Sequence, residues 1–322
     1  MEYLNKRRTL VKVIKELSEE LRFDAQFLSE DWIICLKKGN QTHYIYGYEW
    51  GLNSATTQLI AKDKTAAYEI LSQNQINAIE HKLFFNYNLQ AKYTGQNGCW
   101  EDIMNYVQEH KKGDDYQIIC KPNKGTGGND VYKISNQIEL ESTVQKMFSK
   151  YRDLCLCPFY NIENEYRAIF LNDEVLLLYL KDRPFVIGNG KDNLTTLIIN
   201  KYGEQGVGYL ENLNNDLILI LQDKEKRTIS WKHNLGNGAK AIIIEDIKIK
   251  NDVSKLVQQV ADTLDVKFAS IDIAVVQGQY YVMEVNSGIM IENFAAQTND
   301  NQYNYYEITK NIYRKAIKYL FQ

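Results

Sequence analysis

The sequence predicts an α/β (α+β) protein of two or three units. Three observations carry this: amphipathic helical stripes alternate with short β-rich runs, a glycine-rich segment follows one such run, and an apolar hairpin pattern near the C-terminus is interrupted by acids. With 322 residues, the chain exceeds the usual size of a single domain.

Residues 10, 13, 14, 17 and 21 are Leu, Val, Ile, Leu and Leu, which is helical spacing, so a helix opens the fold. "DAQFLS", "WIICLKK" and "THYIYGY" read as short strands, and "LNSATTQLIAKDKTAAYEILSQN" as one or two helices. Strand "YQIICKP" leads into the glycine-rich segment, a helix near residues 139–150 and strand "LCLCPFY". Strands "YRAIFL", "EVLLLYLK" and "AIIIEDI" follow, with long insertions between them. Val253, Leu256, Val257, Val260, Ala261 and Leu264 mark a helix before the hairpin, and Ile308, Ile312, Ala316, Ile317 and Leu320 mark a C-terminal one.

Composition narrows the function. Lys and Arg total 38 against 41 Asp and Glu, a net charge of −3, so there is no basic field for gripping a nucleic acid. The longest strongly apolar run, Val175 to Leu180, is far short of the roughly 20 residues of a membrane helix. The start, "MEYLNKRRTLVKVIKEL", has no continuous apolar core of the signal-peptide kind. No nucleic-acid partner, no membrane span and a cytoplasmic location are therefore expected. The five cysteines, Cys35, Cys99, Cys120, Cys155 and Cys157, and the four scattered histidines lack metal-type grouping. They are expected to be reduced thiols of the core, with Cys155 and Cys157 on one strand face.

The hairpin "IDIAVVQGQYYVMEVNSG", residues 271–288, places Glu284 and Asn286 on one face by strand alternation. A three-residue loop at Gln277 to Gln279 makes Asp272 and Glu284 direct partners, whereas a two-residue loop does not. Facing carboxylates repel unless a cation lies between them, and oxygen-only ligands suit Mg²⁺. An exposed hairpin edge with scattered polar residues is the other reading. In "CKPNKGTGGNDVYKI", residues 120–134, Gly125, Gly127 and Gly128 permit a loop whose N–H groups converge on phosphate, with Lys121 and Lys124 adding charge. It is neither a Walker loop nor a dinucleotide fingerprint. A glycine turn without a ligand is the alternative.

Asp63-Lys64, "KPNKGTGG", "CPFYNIENEYR", "RPFVIGNGKDNLTTLI", "HNLGNGAKA" and the "ID...MEVN" hairpin appear in the order seen in ATP-grasp ligases. The chain resembles the cyanophycin synthetase and bifunctional glutathione synthetase branch, over about residues 52–292. The resemblance implies an ATP-grasp fold: a short N-terminal α/β unit (1–82), a central lid subdomain (83–160) and a C-terminal antiparallel-sheet catalytic subdomain (161–322). It implies ATP and two Mg²⁺ ions as cofactors, amino acid or peptide substrates, and allows a homodimer.

Residue by residue, the resemblance implies that Lys64 and Lys121 contact ATP phosphates under a lid running from Gly125 through Thr126, Gly127 and Gly128 to Asn129. Phe159, Tyr160 and Asn161 would form the hinge that reads adenine, and Glu165 would take the ribose. Asp272, Glu284 and Asn286 would hold the metals. Arg183, with Lys181, would stabilise the transferring phosphoryl group, and Asn234 with the backbone near Gly236 and Gly238 would line the acceptor site. One departure concerns the loop after Asn286, where the family generally has one or two residues and then Pro-Gly, while this chain has Ser287-Gly288 and no proline. The extra ligase domain of cyanophycin synthetase is also not expected here. The implied activity is ATP-dependent carboxylate–amine ligation through an acyl phosphate. A ligase acting on a precursor peptide and a nucleotide-binding regulatory protein with a degenerate fold are the other readings.

Overall fold

A computed structural model describes residues 8–90, 99–111, 113, 115–125, 127–210, 213, 216–299 and 302–322. Helix α1 (Thr9–Leu21) buries Leu10, Val11, Val13, Ile14 and Leu17, and ends where Arg22 turns left-handed at φ 56°. Strands β1 (Asp24–Leu28), β2 (Ile33–Lys38) and β3 (Gln41–Tyr46) follow as an antiparallel meander. The predicted helical stretch after it is two helices, α2 (Ala55–Lys62) and α3 (Lys64–Gln73). Asp63 divides them: it closes α2 and its carboxylate caps α3 by accepting from Ala66 N at 3.0 Å.

A four-stranded antiparallel sheet comes next, in the order β4-β7-β5-β6, from β4 (Lys82–Phe85), β5 (Ile118–Lys121), β6 (Tyr132–Ile134) and β7 (Asp153–Pro158). Its core joins Phe84, Ile118, Leu154 and Leu156 to side chains of α5 (Trp100–Glu109) and α6 (Gln137–Lys150); the one-turn α4 (Tyr87–Gln90) lies between β4 and α5. Cys120, Cys155 and Cys157 are buried in this sheet and Cys35 is buried elsewhere, as expected of core thiols, whereas Cys99 is exposed against that expectation; all five are free.

The largest sheet has the order β12-β9-β8-β13-β14 and is antiparallel throughout. It comprises β8 (Asn164–Leu171), β9 (Glu174–Asp182), β12 (Lys240–Ile243), β13 (Phe268–Val276) and β14 (Gln279–Asn286). Ile169, Leu177, Tyr179 and Phe268 pack with α1, the meander and α11 (Tyr305–Leu320), while Ala168, Ile271, Ile273 and Val285 pack with α2, α3 and α9 (Ile247–Leu264). A sheet covered on both sides explains why β13 is buried along nearly its whole length rather than alternating. Between β9 and β12, the ribbon β10 (Phe185–Ile187) and β11 (Lys226–Thr228) carries α7 (Leu194–Tyr202) and α8 (Val207–Leu210) around a small core of its own. A single turn, α10 (Glu292–Ala295), precedes α11.

The hairpin loop corrects one expectation. Val276 pairs with Gln279, so the loop is the two residues Gln277 and Gly278, not three. Both have positive φ, 51° and 71°, the tight turn whose twist matches the strands. Asp272 still faces Glu284, because Ile273 pairs with Val282 and Met283 is bulged out of register.

Candidate functional site

Between the four- and five-stranded sheets lies a cavity of about 670 Å³. Its walls include Lys64, Lys121, Gly125, Gly127, Gly128, Phe159, Tyr160, Asn161, Glu165, Lys181, Arg183, Asn234, Asp272, Glu284 and Asn286. The segments expected to act together thus face one space. Thr126 lies outside the described residues.

The floor is built by strand register. Asp272 on β13 sits opposite Arg167 on β8 and opposite Glu284 on β14. Arg167 clamps its carboxylate with two bonds, Nε to Oδ1 at 2.6 Å and Nη2 to Oδ2 at 2.7 Å. Lys181 Nζ donates to Asp272 Oδ2 at 2.8 Å and also to Glu165. Asp272 is only 1% exposed. Burial alone would raise its pKa, but the Arg167 and Lys181 charges outweigh burial and hold the carboxyl well below the usual range. Glu284 pairs with Lys64 at 3.1 Å. The repulsion anticipated between facing carboxylates is therefore relieved by cations of the chain itself.

The opposite side is the glycine loop and its supports. Lys64 also donates to the Gly125 carbonyl at 2.6 Å. Buried Asn123 ties the loop to α3: its Oδ1 accepts from Thr65 N at 3.1 Å and its Nδ2 donates to Asp63 at 2.8 Å. Gly127 and Gly128 have φ near +70°, and Asn234 donates to the Gly127 carbonyl. A Cβ at Gly128 would lie 2.8 Å from Asn234 Nδ2, so only glycine lets this turn meet the loop. The Lys121 side chain, at the end of β5, makes no hydrogen bond or ion pair among the described residues. Nor does Arg183, one residue beyond β9. At the junction of the two sheets, Phe159 N donates to Gln117 O at 2.7 Å and Lys133 Nζ stands 4.0 Å from the Phe159 ring centroid.

Several wall residues were not anticipated. Arg167 is two residues from Glu165, the same alternation that linked Glu284 to Asn286, so the signal was present in "NEYRA". His233 binds the Lys181 carbonyl through Nδ1 at 2.8 Å, and its Nε2 is buried without a partner. Burial pulls its pKa below the usual histidine value, so at neutral pH Nδ1 carries the proton and Nε2 is an unused acceptor. Trp32, Tyr48, Glu49 and Lys62 reach the cleft from the N-terminal part, where no local pattern marks them. Among the described residues no three His, Cys, Asp or Glu side chains form a group able to hold a metal. No helix among the described residues is long and apolar enough to cross a membrane.

Residues 214–304 match the model of the RimK-like ATP-grasp domain, a stretch that contains β11 to β14. No curated protein matches the chain in sequence. Among solved structures, a bifunctional glutathione synthetase from Pasteurella multocida superposes with a TM-score of 0.58 at 14% identity, over 97% of this chain and 44% of that one. The chain thus spans less than half the length of that protein. A D-alanine–D-alanine ligase from Bacillus anthracis superposes with a TM-score of 0.50 at 15% identity, over 84% of this chain and 71% of that one. The same ligase complexed with ATP gives 0.51 at 14% identity, over 84% and 70%. The family match over residues 214–304 and these superpositions agree on the fold, and the chain has an ATP-grasp fold.

Proposed function

We propose that the chain is an ATP-dependent carboxylate–amine ligase acting on amino acids or short peptides. The observation that supports this best is charge. The described residues lining the cleft include seven Lys and Arg (Lys62, Lys64, Lys121, Arg167, Lys181, Arg183, Lys232) against four acids (Glu49, Glu165, Asp272, Glu284), in a chain whose net charge is −3. A local cationic excess walled by a glycine loop suits a polyphosphate.

In this reading Lys64 and Lys121 hold the phosphates, and the backbone at Phe159 to Asn161 reads the adenine edge. Glu165, paired with Lys181, takes the ribose. A substrate carboxylate attacks the γ-phosphorus, ADP leaves, and an amine displaces phosphate from the acyl phosphate. Arg183, unpaired among the described residues, stabilises the charge that develops on the transferring group. Asn234 and the turn to Gly238 border the acceptor.

The donor set fits Mg²⁺ in part. Glu284 and Asn286 offer oxygens from one strand face, which suffices for an ion that takes one or two carboxylates and completes its shell with phosphate and water. Asp272 would join them only by giving up a bond from Arg167 or Lys181. Bound there, the metal would neutralise phosphate charge.

The test is product analysis with pairs of amino acids and dipeptides. ADP and phosphate should form, and hydroxylamine in place of the amine should give the hydroxamate of the donor acid. AMP with pyrophosphate would refute the mechanism.

A further inference from the structure

Resting on the ligase reading, we propose that Glu49, seated by Ser287 and Lys62, recognises the free ammonium group of an amino acid or peptide substrate. Glu49 follows β3, where a bridge between Tyr46 and Glu49 folds the chain back on itself. Its Oε1 is well supplied, accepting from Ser287 Oγ at 2.8 Å and pairing with Lys62 Nζ at 3.0 Å. Its Oε2 is buried with no hydrogen-bond partner among the described residues. An ionised oxygen withdrawn from water without a donor is costly, and a wall of a substrate cleft is where a ligand donor can supply the missing bond.

The surroundings specify the ligand. Glu49 and Lys62 present opposite charges side by side, the complement of a zwitterion. Lys62 has a half-exposed side chain and is free to turn toward a ligand carboxylate. Trp32, Tyr46 and Met290 line the cleft beside them and are 45%, 62% and 45% exposed, an apolar shelf for the remainder of the molecule. Ser287 and Gly288, in the loop that lacks the Pro-Gly of the resembling family, are the ones that accommodate Glu49. Ser287 supplies the hydroxyl, and even a Cβ at Gly288 would stand 3.3 Å from Glu49 Oε1. A tie that merely fastened the N-terminal part to this loop would need only Oε1.

The experiment is calorimetric titration of the full chain, with magnesium and a non-hydrolysable ATP analogue, against free amino acids, dipeptides and their N-acetylated forms. Free amines should bind, acetylation should abolish binding, and Glu49→Gln should weaken the same ligands by roughly tenfold or more. Affinity for the ATP analogue should be unchanged in that variant. Hydroxamate assays then locate the group: if Glu49→Gln loses hydroxamate formation, the ammonium belongs to the donor acid, and if it loses only amide formation, to the acceptor. Equal binding of acetylated and free forms, unaltered affinity in Glu49→Gln, or no binding by any free amine overturns the proposal. Binding as expected without ADP release would instead sink the ligase reading and leave this subsite standing.

Discussion

On the floor of the cleft, Glu165, Asp272 and Glu284 each have a cation from the chain itself, whereas on the side of the four-stranded sheet the Lys121 side chain forms no ion pair among the described residues. The floor is electrostatically closed before anything binds, so its charges hold strands β8, β9, β13 and β14 in register. Against burial, which would lower its pKa, Lys121 feels Glu284 and Glu165 across the cleft, enough to raise it, but its side chain is bonded to neither. It gains a strong bond only when an anion arrives. Residues of the same chemical type therefore serve different ends, and the difference lies in what faces them.

Removing a floor cation tests the comparison most severely. Arg167→Met should leave Asp272 buried with Lys181 alone and lower unfolding free energy by about 3–5 kcal/mol, read from urea midpoints. The same pair sets a pH dependence. Asp272 has a depressed folded-state pKa, so its contribution is complete above the unfolded value near 4 and is lost as pH falls through the folded value. Wild-type stability should therefore drop below about pH 4, and the Arg167→Met profile should be flatter there. An unchanged midpoint would mean the floor is not held by this clamp.

On the other wall the order of effects reverses. Lys121→Ala should cost roughly ten- to hundredfold in ATP affinity by calorimetry, while the unfolding midpoint moves little. A large loss of stability with unchanged affinity would erase the distinction between the walls. The smallest effect is expected from the thiols behind Lys121. Cys155→Ser and Cys157→Ser, made singly, should keep turnover within about twofold of wild type, because the buried environment raises both thiol pKa values and keeps them protonated.

Local pattern made much of this legible. Alternation put Glu284 and Asn286 together, helical stripes located α1, α9 and α11, and glycine chemistry marked the loop. What escaped depends on tertiary pairing. The Arg167 clamp follows from β8 lying beside β13, a neighbour relation that spans a separation of 105 residues. Glu49 reaches Ser287 across 238 residues, and neither residue stands in a recognisable spacing. Hairpin loop length was misjudged for a different reason, although the Asp272–Glu284 pairing was not. Loop length was taken to determine it alone, while the bulge at Met283 contributes a residue that no turn signal announces.

That bulge makes the hairpin a counting device. Side-chain facing in a strand is a matter of odd and even, and Met283 shifts the count by one between the tip and the acidic end. Deleting Met283 would leave a regular two-residue hairpin with Asp272 and Glu284 still partners, whereas pairing Met283 in register with Asp272 would turn Glu284 and Asn286 away from the cleft. The two acids thus meet because one residue is left unpaired, and a change that let Met283 pair in register would undo their meeting without touching either of them.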